Sequence, residues 1–220
     1  RQTLPGRIEI SLAVLTTVLQ FLSGTLVCKQ YVNNKTTAEA SPLPFLFGVL
    51  SSGMWLLYGL TKHDDKIVLV NVIGVTLMSS YTIVFFIYTF KKSSLLKQII
   101  VVVVFVVFIF CYFSIEEDNE LLLGRLGLLA CSLTLLTVAA PMSKLIHVMK
   151  VKSTECLPFP MILMSFFVSA LWYIYGVLEE DTYIQVQNFI GAVLAASQLS
   201  LFVIYPNTLQ LPGVVKSIMA

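Results

Sequence analysis

Two asparagines sit inside apolar runs: Asn71 in LVNVIGV and Asn188 in VQNFIGA, 117 residues apart. A carboxamide buried in hydrocarbon must find hydrogen-bond partners or cost free energy. Each one carries a carbonyl acceptor, two N–H donors and no charge. Such a group either ties helices together or binds an uncharged polar ligand. Two tryptophans share the spacing, since Trp55 opens WLLYG and Trp172 opens WYIYG, again 117 residues apart. An indole supplies a flat apolar face and a single donor; near a helix end it also anchors at the membrane interface. No Asp, Glu, Lys or Arg lies deep within the apolar segments, and Arg125 and Lys144 stand near the ends of one. Proton-driven carriers hold titratable groups inside the membrane, so the polar chemistry expected here is passive. Enzymatic chemistry is not expected, and neither is a cofactor or a nucleic-acid partner. Cys28, Cys111, Cys131 and Cys156 have no zinc-ligand spacing and suggest no disulfide framework. His63 and His147 sit beside loops.

The elements that must position these residues are membrane spans. Of the 220 residues, 57% are hydrophobic and 12% charged, about half the charge of an ordinary soluble domain. A bilayer core takes about 20 apolar residues per helix. Seven segments meet or approach that: 8–27, 43–60, 67–90, 95–115, 121–143, 157–178 and 183–205. The fold class expected is therefore an all-α membrane protein with seven transmembrane helices, with the lipid bilayer as its partner. No cleavable signal peptide is apparent.

The 117-residue offset extends further. It joins Gly74 to Gly191, Asp64 to Asp181, Tyr88 to Tyr205 and Lys35 to Lys152. A tandem repeat follows, with a first triple-helix unit over 8–90, a single linker span over 95–115, a second unit over 121–205 and a tail over 206–220. One intervening span returns the chain to its starting side, so the two repeats are parallel. Charge sorts with this layout. Lys29, Lys35, Lys91, Lys92, Lys97, Lys144, Lys150, Lys152 and Lys216 fall on one side, against Glu39 and Glu155. Asp64, Asp65, Glu116, Glu117, Asp118, Glu120, Glu179, Glu180 and Asp181, with Glu9, fall on the other, against Arg1, Arg7, Lys62, Lys66 and Arg125. Lysine in short loops favours the cytoplasm, which puts the N-terminus outside and the C-terminus inside. The sequon at Asn34 then lies in a cytoplasmic loop and reads as chance. Pro44 and Pro158 lie near the starts of the second and sixth spans, and Pro141 lies inside the fifth. The offset carries Pro141 back to Gly24 in FLSGTL. Proline removes a backbone donor and weakens a helix, so a belt of hinges is expected at these four positions.

SPLPF, WLLYG, VNVIG, AAPMSKL, KSTECLPFP, ALWYIYG and NFIGAVL together resemble the SWEET (MtN3/saliva) sugar transporters over about residues 8–205. The resemblance implies a three-plus-one-plus-three fold and facilitated movement of sugar in either direction, with no ion. It implies that Asn71 and Asn188 face each other across the sugar, framed by Trp55 and Trp172. It also implies an outer gate of Tyr58, Lys62 and Asp181. Amides would bond neighbouring hydroxyls, and indole faces would cover C–H surfaces while their N–H groups donate. Two large tryptophans leave limited room, which favours a monosaccharide such as glucose over sucrose. Tyr173 and Tyr175, with Tyr58 as a further candidate, read as interfacial anchors. The family usually carries proline where this chain has Gly24. A PQ-loop amino-acid transporter and a seven-helix receptor are the competing readings. Against the first, the matched prolines precede Phe45, Met142 and Phe159 rather than glutamine; against the second stands the repeat. The membrane, plasma membrane or a Golgi-type endomembrane, and the oligomeric state, a homo-oligomer included, are left open.

Overall fold

Hydrocarbon offers a backbone no water, so each apolar segment must bond within itself, as a helix. The computed structural model describes residues 4–137 and 139–205. The expected tail 206–220, with Lys216, and Arg1 at the other end lie outside the described residues. Nine helices form among the described residues: α1 (Leu4–Leu22), α2 (Gly24–Asn34), α3 (Leu43–Lys62), α4 (Asp65–Tyr88), α5 (Lys92–Ile115), α6 (Asn119–Thr137), α7 (Ala139–Val151), α8 (Phe159–Leu178) and α9 (Thr182–Ile204). They compose seven spans, because α1 and α2 together make the first and α6 and α7 the fifth.

Both composite spans run beyond the apolar segments, the first to Asn34 and the fifth to Val151. The added turns, KQYVNN and KLIHVMKV, carry polar residues that a helix tolerates outside the hydrocarbon. The turns between paired spans are shorter than the gaps between the apolar segments, 61–66 and 179–182. Only His63 and Asp64 separate α3 from α4, and only Glu179 to Asp181 separate α8 from α9. Each turn closes through a left-handed residue, His63 at φ 58° and Glu180 at φ 53°. Asp64 N then reaches back to Gly59 O at 2.9 Å, and Asp181 N to Gly176 O at 2.8 Å. This is the Schellman closure of a helix end. Glycine is needed at its base, since a Cβ on Gly59 would stand 2.9 Å from Ile67 and one on Gly176 2.9 Å from the Gln185 nitrogen. Asp64 and Asp181 then cap the next helix, Asp64 Oδ1 accepting from Lys66 and Ile67 N and Asp181 Oδ1 from Ile184 N.

Within each half, α3 packs on α4 and α8 on α9. Between the halves, α1 packs on α8 and α3 on α6. The second segments of the composite spans stay with their own half, α2 on α4 and α7 on α9. The halves therefore meet through α1, α3, α6 and α8, towards the end that carries the Asp64 and Asp181 turns. A core of Ile10, Met54, Trp55, Tyr58, Leu126, Ala130, Tyr175 and Ile184 draws on both halves there, whereas the core around Phe85 joins the first half to Leu95 of α5 and the core around Val148 belongs to the second half. Helix α5 leans on α3 through buried Leu95 and Ile109 and shows Val101, Val104, Val107 and Phe108 outward. Its valine run forms a helix rather than a strand because a single segment in lipid has no neighbour to pair with.

Candidate functional site

Asn71 and Asn188 hold the same place in α4 and α9. Asn71 Nδ2 donates to Ile67 O and Asn188 Nδ2 to Ile184 O, both at 2.8 Å. Only the NH2 end of an amide can face a carbonyl, so these bonds fix which way each side chain is turned. One N–H is spent on the helix itself. The carbonyl oxygen and the second N–H of each amide remain for other partners. Among the described residues no hydrogen bond joins the two amides.

The tryptophans behave differently from expectation. Trp55 Nε1 donates to Thr134 Oγ1 at 3.0 Å, and Trp172 Nε1 donates to Thr17 Oγ1 at 2.7 Å. Each bond crosses between halves, and the two threonines are themselves 117 residues apart. Each threonine passes its own proton back one turn, Thr17 to Ala13 O at 2.7 Å and Thr134 to Ala130 O at 3.0 Å. Ser51 Oγ adds a 3.0 Å bond to Thr134. The indole donors are thus committed to inter-repeat stitching, and what each ring can offer a ligand is its face. Gln20 Nε2 makes a further crossing to Ser165 Oγ at 2.9 Å. Its offset counterparts, Thr137 and Gly48, cannot repeat that bond, because glycine has no side chain.

Tyr58, Lys62 and Asp181 do come together. Tyr58 Oη donates to Asp181 Oδ2 at 2.7 Å, and Lys62 Nζ lies 2.5 Å from the same oxygen. The mirror contact was not anticipated: Tyr175 Oη donates to Asp64 Oδ2. Tyr175 is no interfacial anchor but a buried hydroxyl, 2% exposed like Tyr58. The offset held the signal, since Tyr58 maps to Tyr175 and Asp181 to Asp64. Each aspartate caps its own helix with one oxygen and grips the opposite half with the other. Symmetry fails at one position, where Glu179 stands in place of Lys62. An open polar recess of about 150 Å³ lies over the Asp64 pair, lined by Lys62, His63, Asp64, Lys66, Tyr175 and Glu179 among others.

The four candidate hinge positions fall in two kinds of place. Pro44 is the second residue of α3 and Pro158 the N-cap of α8. A missing N–H costs nothing at a helix start, so neither kinks a helix interior. Gly24 opens α2 at the break in the first span, and Pro141 is the third residue of α7, inside the fifth.

Parallel three-helix repeats joined by a lone span are the build of a class of secondary transporters. The family model described as "Sugar efflux transporter for intercellular exchange" matches residues 10–93 and 124–210. A Sugar transporter SWEET1 of Drosophila pseudoobscura pseudoobscura is 41% identical over 197 residues, 88% of this chain and 87% of that protein. A Xenopus tropicalis protein of the same name is 31% identical over 194 residues, covering 88% and 91% of the two chains. A eukaryotic SWEET transporter solved at 3.7 Å superposes with a TM-score of 0.80 at 26% identity, covering 91% of this chain and 98% of that one. The chain belongs to the SWEET sugar transporter family, a class of carriers rather than enzymes.

Proposed function

We propose that this protein is a bidirectional, facilitative sugar uniporter for a monosaccharide such as glucose. The observation that carries the reading is the paired amides. Asn71 and Asn188 each keep a carbonyl and one N–H free of the other helices, and together they match the mixed donor–acceptor rim of a hexose. Trp55 and Trp172 cover its C–H faces and, being large, exclude disaccharides. Binding of this kind is weak and reversible, as a carrier requires, and the lack of charged residues deep in the spans supports transport without a coupled ion.

Sugar passes by alternating access, the 8–90 and 121–205 units rocking around the site while 95–115 joins them. The outer gate is Tyr58, Lys62 and Asp181 with the reciprocal pair Tyr175 and Asp64. Packing between halves at that end, and within halves at the other, supports a state closed outside and open inside. Gly24, Pro44, Pro141 and Pro158 serve as hinges. The lysine distribution supports an extracellular or lumenal N-terminus and a cytoplasmic C-terminus, in the plasma membrane or a Golgi-type endomembrane. The test is uptake of labelled glucose into proteoliposomes. Asn71→Ala and Asn188→Ala each abolish uptake while the protein still inserts and folds; full uptake by both variants removes the site.

A further inference from the structure

The first span breaks without a proline. At the break, three successive carbonyls accept from side-chain hydroxyls. Ser23 Oγ donates to Gln20 O at 2.6 Å, Tyr81 Oη to Phe21 O at 3.0 Å, and Thr25 Oγ1 to Leu22 O. The backbone tightens there as well, Leu26 N bonding Ser23 O three residues back at 3.1 Å. Carbonyls released from a helix in lipid must be re-satisfied, and hydroxyls can do it. Serine and threonine act locally. Tyr81 alone of the three comes from another helix, α4, and its ring is 3% exposed.

Gly24 makes room for that ring. A Cβ on Gly24 would stand 2.4 Å from Tyr81 Cε2 and 2.9 Å from Cδ2. The ring is also fixed against Phe45 of α3, at 5.8 Å between centroids. Glycine and tyrosine are therefore one device: the residue that lacks a side chain admits the residue that caps the break. In the second half the counterpart of Tyr81 also bonds the fifth span, at a carbonyl three residues beyond the counterpart of Phe21. Gln198 of α9 donates to Pro141 O at 3.1 Å, and Tyr81 maps to Gln198 as Gly24 maps to Pro141. Where proline removes a donor by its chemistry, the first half holds its carbonyl open by a tyrosine inserted from the side.

We propose that Tyr81 is the positioning residue of the first-repeat hinge. It fixes the bend between α1 and α2 to α4 and takes over what a proline at position 24 would do. This role rests on the transport reading above, but its structural half does not. Without the hydroxyl, the Phe21 carbonyl recovers a partner only if the turn re-forms towards a straight helix. The bent state then loses population and turnover slows, while the amides and indoles of the sugar site stay in place.

Tyr81→Phe keeps the ring and deletes only the bond. Three measurements on full-length protein in lipid are needed: glucose counterflow, equilibrium glucose binding, and hydrogen–deuterium exchange over residues 21–26. The expected result is turnover slower by about three- to fifteen-fold, the range interhelical hydrogen bonds span in membranes. Binding stays within about twofold, and exchange changes at the break but not in α8 or α9. If wild-type protein transports, then unchanged turnover, unchanged exchange, or a parallel loss of binding overturns the proposal. If wild-type protein moves no sugar while exchange at the break still responds, the transport reading fails and the staple stands. Gly24→Ala gives a second reading, since its Cβ displaces the ring and reproduces the same exchange signature; a Gly24→Ala protein with wild-type exchange contradicts the coupling.

Discussion

Tyr175→Phe tests the gate at one atom. The hydroxyl of Tyr175 donates to Asp64 Oδ2 across the two halves. Phenylalanine fills the same buried space, and Asp64 Oδ1 keeps its cap on α4 through Lys66 and Ile67 N. The variant therefore deletes one bond between halves and leaves each half intact. A hydrogen bond to a charged group contributes about 1.5–3 kcal/mol net. In the proposed gate that bond exists only while this end is closed, so its loss should move the open-to-closed ratio by about ten- to a hundred-fold, at 1.4 kcal/mol per tenfold. Tyr58→Phe should do less, because Asp181 retains Lys62 at 2.5 Å. On the Asp64 side the corresponding residue is Glu179, which offers no such support. The assay is a distance measurement between spin labels at Asp65 and Thr182, which are exposed first residues of α4 and α9 and offset-related, in a background with the native cysteines replaced. The long-distance population should grow in the order wild type, Tyr58→Phe, Tyr175→Phe, and be largest in the double variant, whose two sites share one buried cluster. An unchanged distribution in Tyr175→Phe, or the reverse order of the single variants, would refute the reasoning.

Other predictions follow from the same contacts. Both variants lose the threonine's bond to its own helix, but Thr134→Val removes two interhelical bonds, to Trp55 and Ser51, whereas Thr17→Val removes one, to Trp172. At about 0.6 kcal/mol per interhelical bond, unfolding in mixed detergent should show roughly twice the loss for Thr134→Val; equal losses would contradict the asymmetry. Gly127→Ala should impair folding or insertion, since its Cβ would stand 2.5 Å from the Tyr183 ring, as read by monodispersity after solubilisation. Trp172→Ala should admit disaccharides in a competition panel, and a panel identical to wild type would remove the indole from the pocket wall. Lys91 hydrogen-bonds Glu39 and holds its carboxyl below the ordinary carboxylate range. A lowered carboxyl pKa adds stability only above the unfolded value and loses it as pH falls through the folded one. Both side chains are largely in solvent and screened, so Lys91→Ala should leave the thermal midpoint unchanged across that pH range at physiological salt; a clear drop would show the pair to be structural.

Much of this architecture was legible in the chain because two residue types resist coincidence in an apolar background. Asn71 with Asn188 and Trp55 with Trp172 gave the repeat its register, and the register gave the order of spans. The same arithmetic points to Tyr175 and Asp64, yet tyrosine near a helix end is so common at membrane interfaces that sequence alone makes the pair an anchor and a loop charge. Thr17 and Thr134 carried no signal of their own. A threonine inside a span usually bonds its own helix, and nothing in its neighbours says that an indole from the other half will share it. Hydropathy overstates the turns because Lys62 and Asp65 are charged, so the apolar segments end there while the helices continue into the interface. The break at Gly24 is not legible locally, since its cause is a ring 57 residues further along that fills the space the glycine leaves.

Glucose counterflow in proteoliposomes bears most directly on the central claim. With unlabelled glucose preloaded and neither a pH nor a sodium gradient imposed, wild-type protein should draw labelled glucose in transiently and then equilibrate it, from either face. Asn71→Ala and Asn188→Ala should show no overshoot. Accumulation that requires an ion gradient would contradict passive exchange, and an overshoot that survives in both variants would contradict a sugar site built on the paired amides.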